Sequence, residues 1–287
     1  MKKPPSTNPT PIDPDDPHLS DALAGALAGA LEPLPPASAR GAALRSRLLE
    51  RARASREESG RFITVRRDEG EWRPLVDGVR VKMLNDGAAA RSVLVDIEPG
   101  GVLPIHRHNE HEECVVLRGE AQLGDLVVRE GDYHIALAGS RHGRVSSRSG
   151  ALLYLRGVPI GHGLEVARDL VKALLPGKGA APITVRADEG DWRDLVPGVQ
   201  TKELWCEGGE RSMLLRMQAG ARVPGHPHPQ AEDCLLLEGE AWIGDTLFRS
   251  GEYQHAPAGS LHRELTSDVG ALMYVHGAAD YAPAARL

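Results

Sequence analysis

The chain has 287 residues, a formal net charge of −6, a pI near 6.1 and a hydrophobic fraction of 41%. That length suits about two domains, and the acidic, evenly mixed charge excludes a nucleic-acid footprint. No apolar run is long enough for a bilayer, no apolar stretch follows the two starting lysines as a secretory signal requires, and three cysteines make no disulfide framework, so a cytoplasmic location is expected.

Residues 1–17 are rich in Pro and Asp and too poor in apolar side chains to order themselves, which predicts a disordered tail. A helical segment is expected over 18–61. Leu19, Leu23, Ala26, Leu27, Ala30 and Leu31 recur at helical spacing, and PLPP ends that helix. A second helix over Ala37–Ser59 sets Leu44, Leu48, Leu49 and Ala52 on one face and arginines on the other, predicting burial against a barrel or in a partner's groove. From Phe62 onward short apolar runs alternate with Gly, Asp and Pro, the texture of an all-β sandwich or barrel. Two such domains are expected over 62–160 and 183–280, joined by a helix and a Gly- and Ala-rich linker over 161–182.

The two β regions are copies of each other. Ile63–Gly157 aligns without a gap on Ile183–Gly277, with 44 of 95 positions identical and a constant displacement of 120. Trp72 and Trp192, Tyr133 and Tyr253, and Tyr154 and Tyr274 are paired in this way, and they read as core and barrel-rim packing. The repeat also carries a set of metal-ligand residue types: His106, His108, Glu112 and His142 in the first half, His226, His228, Glu232 and His262 in the second. In an extended segment side chains alternate faces, so the first two histidines of each set point the same way and the glutamate shares their parity. The last histidine must arrive from a second hairpin, whose turns use Gly131 and Gly139 at positive φ. Three imidazoles and one carboxylate suit a divalent metal and leave one or two coordination positions open. Cys114 and Cys234 follow the glutamates by two residues and so share the interior face, as small buried hydrophobes or as redox groups. Cys206 has Asp86 as its counterpart.

The spacing G-x5-H-x-H-x3-E-x6-G, followed by G-x5-P-x-G-x2-H, resembles the two motifs of the cupin superfamily. From Ile63 to Gly277 the text is similar to the cupin domain of ChrR-type anti-sigma factors. The second half matches with Pro257 in place; the first carries Leu137 there, and Ser146 and Thr266 stand where some members have Asn. The resemblance implies two tandem double-stranded β-helix (jelly-roll) barrels forming a bicupin, each with one divalent metal: zinc, iron, manganese or nickel.

Two functions follow from the resemblance. The first is a stress or small-ligand sensor, in which N-terminal helices meet a sigma factor or another protein; the stretch from Leu31 to Ala52 is similar to the tail of such a helical domain. The zinc site of that domain is missing, because the first 100 residues contain only His18 and no cysteine. The alternative is an iron-dependent cupin dioxygenase acting on a diketone or a hydroxylated aromatic ketone. A non-catalytic ligand-binding module is the third reading, and a homodimer is a further expectation.

Overall fold

The computed structural model describes residues 38–87, 90–104, 106–107, 110–158 and 180–279. The expected tail, the first helix and the helix between the halves lie outside the described residues. Ser38–Ser59 is helical, and Leu44, Leu48 and Leu49 lie exposed on it. Their stripe is narrow and interleaved with Arg45, Arg47 and Arg51, whose charges need water.

The remaining elements are strands in two equivalent sets. One sheet runs Ile183–Val185, Tyr133–Ala136, Glu112–Leu123, Ala151–Arg156, Ser92–Ile97, Val79–Asn85, Trp72–Val76, and the other is its image under the 120-residue displacement. The outer strand of each sheet therefore comes from the other half. Thr64 faces Gln254 across one exchanged pair, and Thr184 faces His134 across the other. Because the exchange is reciprocal, the halves are related by an approximate twofold, a closed dimer within one chain.

Period-two alternation gives the long central strand two different jobs. Glu112–Val116 is buried throughout: Cys114 and Val116 enter the first barrel's own core with Val95, Ile97 and Leu153, while Val115 joins a second cluster. Glu232–Leu236 divides in the same manner, with Cys234 and Leu236 inside the second barrel. The second cluster lies between the halves and mixes Leu94, Val115, Tyr133 and Tyr154 with Leu214, Leu235, Tyr253 and Tyr274. Each such side chain contributes about 1.5–3 kcal/mol by leaving water.

The face between the halves also carries charge. Glu113 and Asp233 are 1% and 3% exposed. Tyr133 and Tyr274 each donate to Glu113 at 2.7 Å, Ser212 donates to the same oxygen, and His276 Nδ1 lies 2.9 Å from its other oxygen. Tyr253 donates to Asp233, and His255 lies 2.8 Å from it. Arg156 bridges the two carboxylates, at 2.8 Å from Asp233 and 3.4 Å from Glu113. Burial alone would raise the pKa of Glu113, but His276, Arg156 and Ser212 hold it down at about 2. Tyr133, Tyr253 and Tyr274 are thus core residues whose hydroxyls also satisfy buried acids, while the Tyr154 hydroxyl meets Ser92 Oγ at 3.1 Å.

Each exchanged strand is clamped at its end. Arg66 pairs with Glu252 at 2.7 Å and, symmetrically, Arg186 pairs with Asp132 at 2.8 Å. Inside each half a buried lysine holds the same segment by its carbonyls: Lys82 to Arg67 at 2.8 Å, and Lys202 to Glu189 at 2.7 Å.

Candidate metal centre

In the second half the two-residue strands His226–Pro227 and Leu261–His262 pair so that His226 and His262 are direct partners. His228 keeps the parity of His226, and Glu232 opens the long strand beside them. The structure brings all four together: one ligand atom from each lies within 4.8 Å of the others, and all four residues are buried. Glu232 Oε1 is 3.5 Å from His228 Nε2 and 3.3 Å from His262 Nδ1, and His226 Nε2 is 4.0 Å from Glu232 Oε2.

The opposite ring nitrogens decide what this cluster can hold. His226 Nδ1 donates to the Pro224 carbonyl at 3.3 Å. His262 Nε2 donates to Gln254 Oε1 at 3.0 Å. Ser260 Oγ gives its own proton to the Pro257 carbonyl and so accepts from His228 Nδ1 at 2.8 Å. Each outward nitrogen therefore carries the ring proton, and each inward nitrogen presents a bare lone pair. His228 Nε2 and His262 Nδ1 face each other at 3.1 Å in this state. Three lone pairs and a carboxylate form a set of acceptors that a cation completes, which is the fit a divalent metal requires.

Burial and close contacts set the charge states inside the cluster. Burial pushes the Glu232 carboxyl up, yet its contacts with His228 and His262 outweigh this and leave it well below the usual carboxylate range. Burial likewise holds His226 below the ordinary imidazole value and favours its neutral, ligating form.

In the first half the backbone repeats the arrangement. His142 and His106 are partners across their short strands, and Glu112, 4% exposed, opens the long strand. The side chains of His106 and His142, and His108 altogether, lie outside the described residues. Gly131 and Gly139 have φ of 85° and 81° as their turns demand. The departure at Leu137 leaves its turn intact, since Ser140 N donates to Leu137 O at 3.0 Å just as Ser260 N does to Pro257 O at 3.1 Å. A side chain at Gly119 or Gly239 would meet the carbonyl of Gly150 or Gly270 at about 2 Å, so these motif glycines are steric necessities.

The ligand-orienting residues escaped the sequence reading. Ser260 had a signal in the repeated AGS element before the last histidine, whereas Gln254 had none, because its counterpart is His134. Beside the four ligands a small chamber is lined by Leu215, Cys234, Ile243, Leu265, Met273 and Val275. Its volume of about 20 Å³ admits one water-sized or diatomic molecule. Cys114 and Cys234 are 5% exposed, with burial raising both thiols, which places them as inert hydrophobes.

Comparison with known proteins extends this picture. Among solved structures the chain is similar to a candidate dioxygenase from Nostoc punctiforme, with a TM-score of 0.63, 16% identity, and 78% of this chain and 85% of that one covered. It is similar to oxalate decarboxylase from Bacillus subtilis, with a TM-score of 0.56, 16% identity and 76% of each chain covered. It is also similar to AerE from Microcystis aeruginosa, with a TM-score of 0.54, 17% identity, and 74% and 97% covered. At such identities the likeness establishes the bicupin fold alone. No curated protein matches, and no described helix is long and apolar enough to cross a membrane. The model of the ChrR cupin-like domain matches residues 61–160 and again 180–280, so the chain belongs to that family, with one copy of the domain in each half.

Proposed function

We propose that the chain holds one divalent metal per half, on His106, His108, Glu112 and His142 and on His226, His228, Glu232 and His262, and uses it in dioxygenase chemistry on a diketone or a hydroxylated aromatic ketone. The observation that carries this reading is the acceptor-only cluster of the second half opening onto a chamber walled by aliphatic and sulfur side chains. Apart from the ligands the chamber's wall is apolar, which suits dioxygen in polarity. When bound, the metal would supply Lewis acidity and an open coordination position. The protein's part is to keep three imidazoles in the ligating tautomer and to keep water out.

A sensor is the second reading, favoured by the exposed Leu44, Leu48 and Leu49 of the N-terminal helix, a face suited to a sigma factor or another protein in the same cytoplasmic compartment. Contact through that helix would be apolar and independent of zinc. Metal analysis of purified protein is expected to return two equivalents per chain, falling to one in Glu232→Gln. Iron-loaded protein is then expected to consume oxygen with diketone or phenolic ketone substrates. Metal content at background in the parent protein would overturn both readings. Full metal content without oxygen uptake would leave the sensor, checked by partner capture that survives a chelator.

A further inference from the structure

We infer that the second metal site is completed by the first half: Thr64, on the strand exchanged out of the first barrel, and Phe62, immediately before that strand, are positioning residues for the ligand His262. This rests on the metal reading of His226, His228, Glu232 and His262. Thr64 and Gln254 are direct cross-strand partners. Gln254 Nε2 donates to Thr64 Oγ1 at 3.3 Å, and Gln254 Oε1 accepts from His262 Nε2 at 3.0 Å. The Phe62 ring lies 5.3 Å from that of His262, centroid to centroid, and fixes its tilt. An unbroken chain of contacts thus runs from the first half's backbone to a ligand atom of the second half's site.

The chemistry explains why the far end matters. Gln254 is 4% exposed, so its amide must be satisfied by protein. Without the Thr64 hydroxyl either orientation of the amide leaves one end unpaired, so nothing holds the carbonyl toward His262 and the turned form becomes competitive. A turned amide offers a donor to His262 Nε2, which must then be bare, and the ring proton moves to Nδ1. Nδ1 is the atom that faces Glu232 at 3.3 Å, and a protonated nitrogen cannot ligate. The first half is built from other residues: Pro182 stands at the position of Phe62, His134 at that of Gln254, and His134 Nδ1 lies 2.9 Å from Thr184 Oγ1.

The test is a Co(II) titration followed by visible absorption, on the full chain with the first set silenced by Glu112→Gln. Thr64→Val, Gln254→Leu and Phe62→Ala are each expected to weaken Co(II) binding about 10- to 100-fold. Thr64→Ser, which keeps the hydroxyl, is expected to restore it. Affinities for Thr64→Val and Gln254→Leu within about twofold of the silenced parent overturn the inference while the metal reading stands. A parent titration that His226→Ala leaves unchanged means the second set binds no metal, and overturns both.

Discussion

Asp233 in the second half and Glu113 in the first occupy equivalent places on the twofold, but their surroundings differ. Glu113 gathers Tyr133, Tyr274, Ser212 and His276, whereas Asp233 gathers Tyr253 and His255. The single guanidinium of Arg156 serves both, and its counterpart is His276. A pair of first halves would bring two arginines to this axis, and a pair of second halves none. The duplicated domains have therefore become complementary rather than interchangeable, and the difference lies where they touch each other while the candidate ligands stay the same.

Removing Arg156 tests this most severely. Arg156→Ala leaves two carboxylates buried without their shared cation, an expected loss of about 3–5 kcal/mol in urea unfolding. His276→Phe removes only one partner of Glu113 and leaves Arg156 in place, so a smaller loss of about 1–3 kcal/mol is expected. Equal losses would mean that the two halves contribute alike and would break the comparison.

The clamps give the next effect. Asp132 accepts from Arg129 N, Arg186 Nη1 and Ala187 N, and although burial would raise its pKa, these bonds bring it below the ordinary aspartate value. A carboxylate depressed in the folded state stabilises above its unfolded pKa, and that contribution disappears as pH falls through the folded value. Asp132→Asn is therefore expected to cost about 1–3 kcal/mol at neutral pH. Its deficit against the parent should shrink between about pH 5 and pH 2, as unfolding midpoints measured across that range would record. A deficit that grows with acid would contradict the assignment.

How much of this was legible beforehand depends on what each residue answers to. The strand texture and the convergence of His226, His228, Glu232 and His262 follow from spacing and parity, which are local, while the bicupin architecture came from the resemblance to the cupin motifs. The strand exchange is not local: Ile63–Val65 is a three-residue strand that would read the same on either barrel. Glu113 and Asp233 carried no signal of their own, because only the packed axis places Arg156 between them. Gln254 was invisible for a related reason, since its partner Thr64 lies 190 residues away. The leucines of the N-terminal helix mark the opposite limit, because apolar spacing predicts an apolar face without saying what covers it.

The smallest effect concerns the one cysteine that the repeat does not share. In the first half Asp86 and Arg91 form an exposed ion pair at 2.6 Å. In the second half the equivalent positions are Cys206 and Arg211, which face each other across the same hairpin. Cys206 is exposed, whereas Cys114 and Cys234 are buried, so native alkylation should modify Cys206 alone and reach the other two only on unfolding. Cys206→Asp recreates the first half's pair in the second, where solvent screens it, and a gain of no more than about 0.5 kcal/mol is expected. A larger gain, measured by urea unfolding, would mean that this hairpin end is load-carrying in one half and not in the other, a divergence beyond the twofold axis.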